Sequence, residues 1–594
     1  MSPYLPHWRE RHTPKLLICL REGYDLRKFL GDLGAGLTVA VIALPLAMAL
    51  GIASIPQAIA QQLAAEHPWM TPPAMGLFTA VIAGFLISAF GGSRVQIGGP
   101  TAAFMPLVFA ISTAHGYGGL ALATCMAGVM LILLGVFRFG GVIRFVPYPV
   151  TAGFTAGIGV VILASQIKDF FGLTLVGGDG KALLVPAEFL GKIELFAAHA
   201  ETWNWRATSL AVGSLLVLAV LRRVAPKLPG AVVAIALSAL VVHFCGWAGA
   251  TETLPSGATR ALVDTIGSRF GGIPSSLPAP QLPPFSIELV RELFPSAAAI
   301  AFLGAIESLL SAVVADGMTG YRHRSDQELV GQGLANLAAA VFCGLPATGA
   351  IARTAANVRS GGRTPIAGML HAGFVLVFML ALAPIASLIP LPSLAAILVM
   401  VAWKVSELEH FRSLLRAPKP DVLVLLTTFG LTVLFDLVIA VGTGILLASI
   451  LFMRRMAQVS TVSGLVEEGF GEPGQNEPER RLPAGLAVYE INGPFFFGVA
   501  NSLRDALDRV EVMPRLVILR MRFVPHVDAT GLDALKRFHE RCREKGMRLL
   551  LSGVHEGPRR EMERAGLVDA IGREHVLPNF DRALAHANAL LAKS

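Results

Sequence analysis

Long apolar stretches broken by short polar connections fill the chain as far as about residue 456. They lie at 33–50, 74–90, 98–113, 120–137, 150–167, 208–221, 231–246, 294–315, 329–343, 349–358, 365–387, 393–403, 421–435 and 437–452. A helix needs ~20 predominantly apolar residues to cross a bilayer. The pattern therefore predicts an all-α polytopic membrane domain of about fourteen segments, several too short to span alone. Beyond residue 457 the period changes. Residues 464–481 are rich in Gly, Glu and Pro and read as a hydrophilic linker. Residues 486–497 alternate, 499–510 are amphipathic, 516–521 form a short β-rich run, and 531–544 are again helical. Arg548 to Leu551 and the stretch 558–565 repeat the alternation, so a small α/β domain follows, with Phe495, Phe496 and Phe497 as its expected core. The expected divisions are an N-terminal segment (1–31), the membrane domain (32–456), a linker (457–484) and the α/β domain (485–594).

Composition agrees with the pattern. Hydrophobic residues make up 54% of 594 positions, charged residues 15%, and mean hydropathy is +0.62. Soluble domains carry about 25% charge, so the chain is an integral membrane protein. Residues 15–21 hold too short an apolar run to predict a cleavable signal peptide. The five cysteines are far apart, with neither metal spacing nor a disulfide framework, and no cofactor motif emerges. Numbering the loops from an internal N-terminus places the basic clusters on one side, among them Arg94, Arg138, Arg222, Arg322, Arg359, Arg363 and Arg454. Residues 54–73 have no Lys or Arg, and Asp436 is the single charge between the last two spans. This is the positive-inside pattern. It accounts for the net charge of +8 without nucleic acid, and it predicts a multi-pass inner-membrane protein whose N-terminus and α/β domain are cytoplasmic.

The membrane part contains an internal echo. Val146-Pro147-Tyr148-Pro149 precedes the fifth span and Ile389-Pro390-Leu391-Pro392 the twelfth; Gly99-Pro100-Thr101 opens the third and Leu345-Pro346-Ala347-Thr348 the tenth. Seven spans separate the members of each pair, so equivalent segments enter from opposite sides, as a 7+7 inverted repeat requires. Pro100 and Pro346 are expected at the first helical position, where a missing N–H is tolerated. Gly98, Gly99 and Gly349 permit irregular backbone. Two half-helices would then aim their N-termini, each about half a positive charge, at a common point near the midplane. Thr101 and Thr348 add hydroxyl donors, and Arg353 adds a full charge unless it snorkels to an interface. An anion is the natural ligand.

Glu307 is the lone charge between Phe294 and Ala315. Intramembrane acids are costly and functional by default. A carboxyl buried in low dielectric favours its neutral form, so an acid so placed can take and release protons near neutrality. Glu307 is accordingly the expected proton-coupling group, sharing a helical face with Ser311 one turn on; the competing reading is a permanently protonated acid bonded to backbone. His371 is expected to be packed and hydrogen-bonded, and Gly153 and Gly157 to serve close helix packing. No nucleophile–base pair or phosphate loop points to an enzyme.

Ala74-Met75-Gly76-Leu77-Phe78-Thr79-Ala80 through Gly91-Gly92-Ser93-Arg94 resembles the signature of the sulfate-permease (SulP) family. So do residues 38–48 with the Ala43-Leu44-Pro45 break, Gly99-Pro100-Thr101-Ala102-Ala103, and the stretch 326–336. Val527-Asp528-Ala529-Thr530-Gly531-Leu532 resembles the loop of a STAS domain, with Thr530 at the position of a phosphorylated serine in STAS regulators and Asp528 beside it; a helix N-cap is the competing role for Thr530. Within the family, Gly304-Ala305-Ile306-Glu307-Ser308, Ala350-Ile351-Ala352-Arg353 and Ala355-Ala356-Asn357-Val358-Arg359 are most similar to bacterial aerobic C4-dicarboxylate transporters. Cyanobacterial bicarbonate transporters carry an Asp matching Glu307, a Thr matching Ser311 and a hydroxyl residue matching Ile351 as sodium ligands, so these departures argue against sodium. The resemblance implies a homodimeric elevator: a core of spans 1–4 and 8–11 carrying the anion past a gate of spans 5–7 and 12–14. Succinate or fumarate is the substrate it implies, with sulfate or bicarbonate transport, or an uncoupled channel or exchanger, as alternatives. The expected substrate-binding residues are Ala43, Leu44, Gly99, Pro100, Thr101, Ala102, Glu307, Ser311, Thr348, Gly349, Ala350, Ile351 and Arg353.

Overall fold

The computed structural model describes residues 12–141, 146–177, 183–225, 228–253, 259–435, 437–459, 461–465, 482–496 and 514–593. Asp436, Phe497, the segment 499–510 and residues 466–481 of the expected linker lie outside these. Internal contacts divide the chain into two units, Met1–Ile445 and Leu446–Ser594.

The first unit is helical. Its elements are α1 (Leu26–Ser54), α2 (Gln57–Glu66), α3 (Pro72–Phe90), the two-residue strand β1 (Gly98–Gly99), α4 (Met105–Val136, entered through a 3-10 turn at Ala102–Phe104), α5 (Tyr148–Phe171), α6 (Phe189–Ala198), α7 (Trp205–Val224) and α8 (Gly230–Phe244). There follow α9 (Ile287–Thr319), α10 (Ser325–Val341), the strand β2 (Thr348–Gly349), α11 (Ile351–Arg359), α12 (Pro365–Ala386), α13 (Leu391–Val405), α14 (Lys419–Leu434) and the first residues of α15 (Leu437–Val459), within which the division between the units falls. Among the described residues, nine helices are long and apolar enough to cross a membrane. Gly116, at φ 66° and ψ −173°, folds α4 into two of the expected segments; that left-handed backbone favours glycine. With the shorter α8, α10, α11 and α14, fourteen segments result, in the order the hydropathy predicts.

The helices sort into two groups. In one, α10 and α9 pack on α4, α12 packs on α1 and α3, and α11 packs on α9 and α1. In the other, α13 and α14 pack on α5, and α7 and α8 pack on each other. Small residues let the second group close up: a Cβ on Gly153 would lie 2.5 Å from the Leu425 carbonyl oxygen, and one on Gly157 2.6 Å from Thr432 Cβ. The repeat is visible in local geometry. Pro147 and Pro390 occupy the N-cap of α5 and α13, and a second proline sits in each first turn, where its missing N–H costs nothing.

The second unit is an α/β sandwich on a five-stranded sheet of order β3 (Thr461–Leu465), β4 (Leu486–Asn492), β5 (Leu516–Phe523), β6 (Arg548–Ser552), β7 (Val576–Leu577). β3 pairs antiparallel with β4, and the remaining pairs are parallel. The expected linker is corrected here: its residues 461–465 supply an edge strand. Alternation along β5 separates two cores. Val517, Leu519 and Met521 join Phe495, Leu535 and Phe538 of α16 (Ala529–Glu544) on one face. Leu516 and Ile518 meet Ala583 and Ala587 of α17 (Phe580–Lys593) on the other. Burying a phenylalanine such as Phe495 stabilises by about 1.5–3 kcal/mol. Asp528, not Thr530, caps α16: its carboxylate accepts from Gly531 N at 2.7 Å. Thr530 is exposed in the first turn.

Candidate functional site

Two breaks in the helical pattern meet. β1 and β2 pair antiparallel in the interior, Gly98 opposite Gly349 and Gly99 opposite Thr348. Buried backbone away from helices must still be paired, and here each break satisfies the other. The close approach excludes side chains. Gly99 has φ +139°, and a Cβ there would lie 2.6 Å from Arg353 Nη1. A Cβ on Gly349 would overlap the Gln96 amide. Beyond β1 the chain passes through extended Thr101 into the 3-10 turn and α4; beyond β2 it passes through extended Ala350 into α11. Pro100 and Pro346 are thus not first-turn residues as expected: each lies in the extended segment ahead of its helix. The half-helices start at Ala102 and Ile351, and their first N–H groups have no intrahelical acceptor.

Arg353 does not snorkel. It is 3% exposed and reaches across the strand pair, donating from Nη1 to Gly98 O at 3.4 Å and from Nη2 to Pro100 O. The cation of the second half-helix therefore clasps the break of the first. Thr101 Oγ1 donates to Glu307 Oε2 at 2.9 Å, and both residues are partly buried. The remaining expected hydroxyls are engaged elsewhere. Thr348 Oγ1 donates to Gly304 O at 2.7 Å, and Ser311 Oγ donates to Thr354 Oγ1 at 3.1 Å. Ala102 is buried and Ile351 is 39% exposed. Ala43 and Leu44 lie on α1, which packs against α11 and α4. Hydrogen bonds thus join Arg353 to Gly98 and Pro100, and Thr101 to Glu307, while Thr348 and Ser311 serve as helix–helix ties.

A second buried acid was not anticipated as part of this region. Glu328 of α10 is fully buried. Its carboxylate accepts from Gly92 N (2.8 Å), Ser93 N (3.1 Å), Ser308 Oγ (2.9 Å) and Gln332 Nε2 (2.8 Å). Gln96 Nε2 donates to Ser308 Oγ at 3.0 Å, and Asn336 bridges to the backbone of Ala347 with 2.8 and 2.9 Å bonds. Thr354 Oγ1 accepts from Ile97 N at 3.0 Å, and Asn357 Nδ2 donates to Val95 O at 2.8 Å. This network holds both breaks. A signal existed: Glu328, Gln332 and Asn336 recur every fourth residue on a helix that is otherwise apolar beyond its polar first turn, so they share one face. His371 is packed as expected, yet neither ring nitrogen has a hydrogen-bond partner among the described residues.

The chain has relatives among known proteins. The family model described as "Sulfate permease family" matches residues 29–428, and the STAS domain model matches residues 477–583. A Bacillus subtilis (strain 168) protein named "Putative sulfate transporter YvdB" is 40% identical over 563 residues, 94% of this chain and 98% of its own. The bicarbonate transporter BicA of Picosynechococcus is 29% identical over 94% of this chain and 95% of its own. The solved transmembrane domain of a cyanobacterial BicA is 30% identical with a TM-score of 0.58, covering 70% of this chain and 99% of that one. The murine solute carrier 26 member A9 anion transporter shares the fold, at 18% identity and a TM-score of 0.82 over 99% of this chain and 96% of that one.

Proposed function

This chain belongs to the sulfate permease family of anion transporters, and from that premise we propose that it is a proton-coupled, secondary-active transporter working by elevator-type alternating access. One observation carries the coupling: the hydroxyl of Thr101, at the start of the first half-helix, donates to Glu307 at 2.9 Å. An ionised Glu307 occupies that hydroxyl and sets a negative charge beside the anion site. A protonated Glu307 removes the charge and releases the hydroxyl towards an anion held by the two half-helix N-termini. Anion and proton then bind together and cross together. Gly99, Pro100, Thr101, Ala102, Thr348, Gly349, Ala350 and Ile351 form the backbone of the site, Ala43 and Leu44 its α1 wall, and Arg353 its fixed positive charge. Ser311 positions α11 through Thr354. The protein works as a homodimer in the inner membrane with its STAS domain in the cytoplasm.

C4-dicarboxylates, succinate or fumarate, are the substrates expected from the sequence. A second reading, sulfate, is favoured by the name of the relative that is 40% identical, and bicarbonate by the name of BicA. Proteoliposome uptake of labelled succinate, sulfate and bicarbonate decides among them. With an acidic outside the transported anion should accumulate above its equilibrium level, and a sodium gradient alone should not drive it. Accumulation driven by sodium and indifferent to pH would remove the proton reading. Large unitary currents without accumulation would replace the transporter by a channel.

A further inference from the structure

Away from the central site, a cavity of about 100 Å³ with a mixed polar and apolar lining lies where α1 ends. It is lined by the start of α2, the first part of α4, the end of α5, α6 and the start of α13. On the positive-inside reading this is the outer end of the helices. Its charged and amide lining is Gln57, Gln166, Lys168, Asp169, Lys192 and Arg269. Arg269 donates to Asp169 Oδ1 and Asp264 Oδ2 at 2.6 Å each, and these two carboxylates together balance Arg269 and Lys168, the residue beside Asp169. Lys168 Nζ donates to the neutral Gln57 Oε1 at 2.9 Å.

Lys192 stands apart. It is 3% exposed, and among the described residues its ammonium has no hydrogen bond and no carboxylate partner. Its one contact of note is the Phe109 ring, whose centroid lies 4.3 Å from Nζ. A lysine this buried is almost never left unpaired, and a ring face satisfies charge without using the three N–H donors. Burial pushes the Lys192 ammonium down to about 8, so it is still mostly charged at neutral pH. A second observation points the same way. Pro56, Gln57 and Ala58 line the cavity at the start of α2, a ten-residue helix whose N-terminus has no side-chain cap. Its free N–H groups and positive dipole end face the same space. With Arg269 and Lys168 balanced by the two aspartates, Lys192 and a helix N-terminus remain with no anion to match them, and Lys168 lines the same space as a further donor.

We propose that this cavity is a second anion site, an outer antechamber in which Lys192, Lys168 and the first turn of α2 hold a small oxoanion or carboxylate before it reaches the central site. The two sites share a helix: Phe109 lies on the half-helix that begins near Thr101, on the order of 10 Å further along its axis. Only the identity of the anion rests on the transport reading above.

The test uses the full-length protein with labelled sulfate, succinate and bicarbonate as probes, in equilibrium binding and in uptake. For whichever anion binds, Lys192→Gln should remove one bound equivalent and raise the uptake KM about tenfold while the maximal rate changes less than about twofold. Lys192→Arg should restore both. Should Lys192→Gln fold poorly, the wild type supplies the readout: saturating anion should slow labelling of Lys192 by an amine-reactive reagent at least about fivefold. Unchanged stoichiometry and KM in a folded Lys192→Gln variant, or labelling unaffected by every anion, would overturn the proposal. A chain that does not transport yet holds a Lys192-dependent anion keeps the antechamber and removes the transport reading. Transport with binding indifferent to Lys192 does the reverse.

Discussion

In the first break of the repeat the chain runs from Gly98-Gly99 through Pro100 and Thr101 into α4; in the second it runs from Thr348-Gly349 through Ala350 into α11. The backbones are alike: two strand residues, one or two extended residues, then a helix start. The side chains are not. The first break offers its threonine to Glu307 and carries no charge of its own, whereas the second ties its threonine to Gly304 O and sends Arg353 across to the first. A duplicated fold can supply two converging helix N-termini, because that depends on backbone alone. It cannot by itself supply one proton carrier and one fixed cation, because those need different residues at related places. On the proposed function, binding is a property of the symmetry and coupling a property of its loss.

Removing the clasp should have the largest effect. Arg353 makes two hydrogen bonds to carbonyls of the opposite break, and bonds to charged groups are worth about 1.5–3 kcal/mol each. Arg353→Met should therefore lower uptake at least about a hundredfold and reduce thermal stability in detergent. Arg353→Lys should recover little, since an ammonium lacks the planar fork that serves two acceptors. Uptake within a few-fold of wild type in Arg353→Met would mean that the strand pair holds itself. Next in size is Glu307, the proposed coupling residue. Glu307→Gln imitates the protonated acid, so anion affinity should stay within roughly threefold while pH-driven accumulation falls to equilibrium. Undiminished accumulation would remove Glu307 as the carrier and leave the asymmetry without a function.

Much of this site was legible in the chain. Gly99-Pro100-Thr101 and Leu345-Pro346-Ala347-Thr348 mark the breaks because Gly and Pro interrupt apolar runs, and the seven-span offset implies opposite entry. Glu307 stood out because a lone acid in an apolar helix is costly. What escaped was tertiary. Nothing local says that Pro100 lies ahead of the helix, since a proline suits either an extended residue or a first turn. Nothing local separates Thr101 from Thr348, both small hydroxyl residues beside a break; only packing against α9 gives one to Glu307 and the other to a carbonyl. Glu328 was hidden for the opposite reason. It lies among polar residues near a helix start, where a carboxylate looks solvated, yet four donors hold it in the interior. In the STAS domain the cap expected at Thr530 falls to Asp528, two residues earlier, because either side chain can accept at a helix start, and the strand at 461–465 was obscured by the hydrophilic stretch that follows it.

The two threonines give the most discriminating comparison because the substitution is the same. Thr101→Val removes the donor to Glu307, a bond to an ionisable group, and should cut uptake about tenfold and shift its pH dependence. Thr101→Ser should restore most of it. Thr348→Val removes a donor to a helix carbonyl rather than to a carboxylate, so the cost should appear in folding, about 1 kcal/mol, with KM within about twofold of wild type. Uptake kinetics with thermal denaturation of each purified variant separate the outcomes. If the two valines behave alike, the breaks are chemically equivalent and Glu307 does not act through Thr101. If only Thr101→Val alters the pH profile, the proton and the anion are read at the first break, and the second serves to hold it in place.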